Sequence, residues 1–179
     1  MTDNHNPGTA RVPATGAAPP AALVSYWTRT QPVLPPGARW MALQGGRTNA
    51  LWQVATAQDT AVVKLFRPGS DTPLFPNDPA AEACALEALA GTGLAPDLIG
   101  TGETEAGPSL VYAHVAGRVW RATDAAETVA RALARLHRIP VPRGLDTVPG
   151  GAGVLRDQGR QILDAIGGGS LDLAEAEPG

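Results

Sequence analysis

Apolar positions recur differently in successive stretches of the chain. Up to about residue 22 the residues are mostly Pro, Ala, Gly, Thr and Asn, with little to bury, which predicts a disordered arm. The apolar stretch 23–27 predicts a short helix packed on the body, and Pro32, Pro35 and Pro36 break the chain after it. From Trp40 the period becomes two, and residues 40–43, 50–56 and 60–66 read as strands. The turn cluster Gln44-Gly45-Gly46-Arg47-Thr48-Asn49 and the short polar connection Ala57-Gln58-Asp59 join them. The result is an antiparallel meander whose first turn is glycine-rich.

Residues 67–77 form a loop punctuated by Pro68, Gly69, Pro73 and Pro76. Asp78 before Pro79 is a helix start, a capping carboxylate followed by proline at the first helical position. That helix runs to about Ala90, stops at Gly91, and carries Ala83, Leu86 and Leu89 with Ala90 as its apolar stripe. Residues 98–104 and 109–114 read as two more strands around Glu105-Ala106-Gly107. Asp124 and Glu127 have the spacing of a capping box. The helix they open shows Ala126, Val129, Leu133 and Leu136 on one face, and Pro140 and Pro142 end it. Residues 154–166 read as one further helix, before Gly167-Gly168-Gly169-Ser170 and an acidic tail. The predicted class is α+β: a five-stranded antiparallel sheet with one helix against it, followed by a helical region.

Composition narrows the function. Apolar residues are 44% of the 179 but aromatics only 4%, so the core must rest on Ala, Val and Leu. Net charge is −3, without the basic patch that nucleic acid demands. The single cysteine, Cys84, excludes an intramolecular disulfide and fits a reducing cytosol. No stretch has a basic-then-apolar leader layout, and no apolar run is long enough to span a bilayer. The expectation is a soluble, cytoplasmic protein that engages neither nucleic acid nor membrane. Against thirteen arginines there is one lysine, Lys64. Arg and Lys exchange easily on surfaces, but not where a compact ammonium is needed as a point charge.

A glycine-rich hairpin turn followed by a lysine on a neighbouring strand suits phosphate. Glycines let backbone N–H groups approach phosphate oxygens, and the lysine adds positive charge. Alternation puts Val62, Lys64 and Phe66 on one face, with Val62 lining an apolar slot and Lys64 at its phosphate end. A half-buried ammonium needs a partner. Glu82 and Glu87 on the following helix are the candidates, and helical phase favours Glu82.

These residues fall into a familiar order. The stretch Gln44-Gly45-Gly46-Arg47-Thr48-Asn49 resembles the phosphate loop of the choline-kinase and aminoglycoside-phosphotransferase family, whose fold is protein-kinase-like. Ala61-Val62-Val63-Lys64-Leu65-Phe66 resembles its lysine strand. The helix with Glu82, followed by Gly93-Leu94-Ala95-Pro96, resembles its ion-pairing helix and the turn after it. Leu110-Val111-Tyr112-Ala113-His114-Val115-Ala116-Gly117 resembles its hinge, and Ala132-Leu133-Ala134-Arg135-Leu136-His137 the end of its first large C-lobe helix. Each motif is weak alone. Five in the family's order make a strong set, covering about residues 40–137.

The resemblance implies an arm over residues 1–22, an ATP-binding kinase-like N-lobe over 23–116, a hinge and the first helices of a truncated C-lobe over 117–166, and a flexible tail over 167–179. It implies that Gly45, Gly46, Arg47, Thr48 and Asn49 cover the phosphates of ATP, and that Lys64 pairs with them while held by Glu82. Backbone groups of Ala113 and Val115 would read the adenine edge, with Tyr112 at the back of the slot. Blander roles stand beside these: Asn49 as a turn residue tolerant of positive φ, Arg47 as a solvated loop charge, Trp52 as a sheet-surface or core aromatic, His114 and His137 as structural histidines. The family also uses Mg²⁺ and a small-molecule hydroxyl acceptor. Its pattern of a catalytic Asp followed by an Asn for metal has no match here, because no asparagine follows Asn77 and no histidine follows His137. The expectation is an ATP-dependent small-molecule phosphotransferase cut before its catalytic loop, or else a nucleotide-binding pseudokinase acting through a protein partner, or an inactive remnant. Acceptor and oligomeric state are not legible.

Overall fold

The computed structural model describes residues 18–43, 48–55, 60–69, 76–118, 120–121, 123–145 and 152–165. Along the chain these form α1 (Ala21–Thr30), β1 (Arg39–Ala42), β2 (Ala50–Ala55), β3 (Thr60–Leu65), α2 (Pro79–Ala88), β4 (Leu98–Thr104), β5 (Gly107–Ala113), α3 (Ala126–Leu136) and α4 (Ala152–Ala165). The strands make one antiparallel sheet in the order β1-β2-β3-β5-β4. With the helices it is an α+β fold consistent with a kinase-like N-lobe followed by a few helices. Gly45, Gly46 and Arg47, the 57–59 connection, the first seventeen residues and the 167–179 tail lie outside the described residues.

Register sorts the side chains onto two faces. Directly paired residues share a face, so Ala50, Trp52, Val54, Ala61, Val63, Leu65, Ser109 and Val111 fall together. Leu23 and Trp27 of α1 and Leu34 complete this core, all three essentially fully buried. Burying a side chain of this kind contributes about 1.5–3 kcal/mol, so α1 is a structural layer and not an appendage. Trp27 Nε1–H also donates to Ser109 Oγ at 3.1 Å, and Ser109 Oγ donates to the Gly102 carbonyl at 3.2 Å. The helix predicted near residues 23–27 is therefore longer than its apolar stretch. It covers one sheet face, while the single helix predicted against the sheet, α2, covers part of the other.

On that second face Phe66, Leu110, Ala83 and Leu86 form a smaller core with Tyr112, Leu98 and Ala95. Asp78 caps α2 by accepting the N–H groups of Ala80 (2.8 Å) and Ala81 (3.2 Å), and Pro79 follows it. The helix ends at Ala88 with Leu89 as its cap, and Gly91 takes the left-handed φ of 70° that the chain needs to turn away. The capping box predicted at Asp124 and Glu127 does not form: α3 has Ala125 at its N-cap and no side-chain cap bond. Asp124 is engaged elsewhere. Its carboxylate takes both guanidinium arms of Arg118, at 2.6 and 2.7 Å, and the Arg121 N–H at 2.7 Å. A bidentate, charge-assisted pair outcompetes a single helix-end N–H.

Candidate nucleotide site

Lys64 stands on β3 beside Phe66, with Nζ 4.7 Å from that ring's centroid, and pairs with the Glu82 carboxylate from the first turn of α2. The side chains are 16% and 32% exposed, enough burial for the pair to matter and enough access for a ligand. A lone ammonium at this depth would be costly, and the carboxylate offsets that cost. Of the two glutamates weighed as partners, Glu82 is the one brought to Lys64. Glu87 is exposed and lines the space between α2 and β4 instead.

The pairing β2–β3 puts Leu51 opposite Lys64 and Gln53 opposite Val62, and β1–β2 puts Met41 opposite Gln53. These five residues share the face of Lys64, at the end of the sheet beyond α2. Val62 is 5% exposed and Met41 36%, so the apolar surface there opens outward from a covered interior. Met41, Leu51 and Gln53 were not anticipated on the face of Lys64. Period two within each strand was visible, but their alignment with Lys64 depends on hairpin register. Trp52, left open between surface and core, is 2% exposed and on the opposite face.

Tyr112 pairs across from Val62 and packs in the smaller core. Burial, and next the nearby Glu82 carboxylate, push its hydroxyl up to about 12. It therefore stays a neutral phenol at neutral pH. The Ala113 N–H is taken by the Asp97 carbonyl at 2.9 Å and the His114 N–H by the Thr60 carbonyl at 3.2 Å. Val115 beyond them is 66% exposed.

Thr48 is exposed and Asn49 buried. No residue other than glycine has positive φ among the described residues, so Asn49 is not there for a left-handed turn. Its amide oxygen accepts the Arg67 N–H at 3.1 Å, and its amide nitrogen donates to Asn77 Oδ1 at 2.7 Å. The side chain is occupied by the protein.

A cavity of about 540 Å³ lies on the other side of α2, lined among others by Ala83, Cys84, Glu87, Thr101, Glu103 and Leu110. It does not include Lys64 or Glu82. The site is assigned from the ion pair and the open sheet face, because an empty volume without a charged pair has no chemistry of its own. Among the described residues no group of three His, Cys, Asp or Glu could hold a metal ion, and no helix is long and apolar enough to cross a membrane.

Residues 39–167 match the model of a phosphotransferase enzyme family. The match spans all five strands and helices α2, α3 and α4. No curated protein matches the chain.

Proposed function

Because the chain belongs to the phosphotransferase enzyme family, we propose that the open sheet face binds ATP, with Lys64 on the phosphates, as the nucleotide half of a phosphotransfer to a small-molecule hydroxyl. The observation that carries this reading is the half-buried Lys64–Glu82 pair beside the apolar surface of Val62, Leu51 and Met41. An apolar surface suits a purine, and a positive charge at its end suits phosphate oxygens. Glu82 holds the ammonium in place without neutralising its outward side. The adenine edge falls to the Ala113 carbonyl and the Val115 N–H, since the Ala113 N–H is already used. Gly45, Gly46, Arg47 and Thr48 cover the phosphates in this reading, while the Asn49 side chain is taken up by Arg67 and Asn77. Choline, thiamine and amino-sugar alcohols are the acceptors suggested by the resemblance of the motifs.

The donor set does not fit Mg²⁺ in the family's manner, as no asparagine follows Asn77. No step is assigned to the metal here. In a second reading the chain binds nucleotide without turnover and acts through a protein partner. Thermal unfolding with and without ATP tests the shared part of both. At an ATP concentration a hundredfold above Kd, binding should stabilise the wild type by about 2.7 kcal/mol. Lys64→Ala should lose most of that gain. Equal shifts for the two proteins would remove Lys64 from the site. A shift that persists without Mg²⁺, with no ATP consumed, selects the second reading over the first.

A further inference from the structure

Two asparagine side chains close a ring of hydrogen bonds around the end of β3. The Arg67 N–H donates to Asn49 Oδ1 at 3.1 Å, and Asn77 Nδ2 donates to the Arg67 carbonyl at 3.3 Å. The two amides also bond each other, Asn49 Nδ2 to Asn77 Oδ1 at 2.7 Å and Asn77 Nδ2 to Asn49 Oδ1 at 3.0 Å. A backbone N–H can only donate, so Arg67 fixes which end of the Asn49 amide is oxygen. The other bonds of the ring follow from that orientation.

The ring joins three places in the chain. Asn49 immediately precedes β2, Arg67 lies just past β3, and Asn77 immediately precedes the Asp78 cap of α2. Lys64 is near the end of β3, and Glu82 is in the first turn of α2. The amides therefore tie together the two element ends from which the ion pair is built. Asn49 is 7% exposed, so water is a poor substitute for a missing amide there.

We propose that Asn77 is a positioning residue whose amide sets the N-terminus of α2 against the end of β3 and thereby holds Glu82 on Lys64. The inference rests on the ATP-binding reading for its functional meaning, but Asn77 itself touches neither nucleotide nor the ion pair in this scheme.

Lys64 is the only lysine in the chain, so protein labelled with ¹³C,¹⁵N-lysine gives one side-chain Cε–Nζ correlation. Glu82→Gln marks where that signal moves when the pair is broken. Asn77→Ala should move it toward the Glu82→Gln position and weaken ATP binding roughly tenfold, the equivalent of about 1.4 kcal/mol. In a Glu82→Gln background, Asn77→Ala should add little to either effect, because residues acting through one contact are not additive. Trp27→Phe, which loosens the opposite face, should lower stability and leave the signal in place. If Asn77→Ala does not fold, Asn77→Ser is judged on the same signal. A Lys64 signal unchanged by loss of the Asn77 amide overturns the proposal. Failure of the wild type to bind ATP overturns the nucleotide reading instead, and the lysine signal still decides whether Asn77 positions the pair.

Discussion

Tyr112 shows how one side chain reports on the whole site. Its hydroxyl is held near 12 chiefly by burial and further by the Glu82 carboxylate. In the unfolded chain a tyrosine releases its proton near 10. Between those values the unfolded state binds fewer protons than the folded one, so stability falls as pH rises through that window and is unaffected by this group below it. Urea denaturation from pH 9 to 12 should show a steeper loss for the wild type than for Tyr112→Phe. Parallel profiles would mean that Tyr112 is not buried in the smaller core as described. At this scale the sequence marked Lys64 by its rarity and strand position, and the structure pairs it with Glu82. The sequence was a poorer guide to Asn49, whose residue type suits a turn and a side-chain bridge equally well. The bridge is decided by Asn77 and Arg67, 28 and 18 residues away.

The α1–β4 contact depends on two residues having no side chain. A Cβ on Gly102 would meet the Tyr26 ring and fall 3.0 Å from Trp27 Cζ2. Trp27 is fully buried and hydrogen-bonded, so it cannot give way. A Cβ on Gly100 would meet the end of the Gln31 side chain, 2.6 Å from Nε2, which can swing aside. Gly102→Ala should therefore destabilise by about 1–3 kcal/mol, as overpacking does, and Gly100→Ala by less. Equilibrium urea unfolding of both variants checks the order, and a reversed order would mean that α1 sits differently on the sheet. Elements themselves were largely legible. The strand alternation and the Asp78-Pro79 start predicted β1 to β5 and α2 to within a few residues. The α3 cap was misread because Asp124 has a stronger local partner in Arg118, and propensity rules do not compare partners. That α1 packs on the body was legible, but its length and the sheet face it covers were not, since its apolar stretch is short and its hydrogen bond to the sheet reaches Ser109, 82 residues on.

Across the whole molecule, burial is uneven. The sheet is covered by α1 on one face and by α2 on part of the other. In contrast, Val129, Leu133 and Leu136 on α3 are 37%, 46% and 39% exposed. Their spacing predicts a buried face, yet among the described residues α3 touches the rest chiefly through Arg135, which donates to the Thr92 carbonyl at 2.5 Å. Cys84 Sγ, 3.2 Å from the Arg143 carbonyl, is a second tether between α2 and the segment after α3. Leu133→Gln should thus change unfolding free energy by no more than about 0.5 kcal/mol, as exposed substitutions do. Leu23→Ala, in the sealed core, should cost about 2–5 kcal/mol. Similar losses for both would place α3 in the cooperative core.

The sequence by itself determined roughly where the five strands and α2 lie, the α+β class, and the presence of a single lysine on a central strand. Those features depend on period, caps and turn chemistry, which act over a few residues. Tertiary structure decided which glutamate meets Lys64, which strand residues share its face, that Asn49 bridges to Asn77, and that Asp124 serves Arg118. Each of those outcomes is a choice among partners of similar chemistry. Only sheet order, register and packing bring one partner within hydrogen-bonding distance and leave the other out of reach.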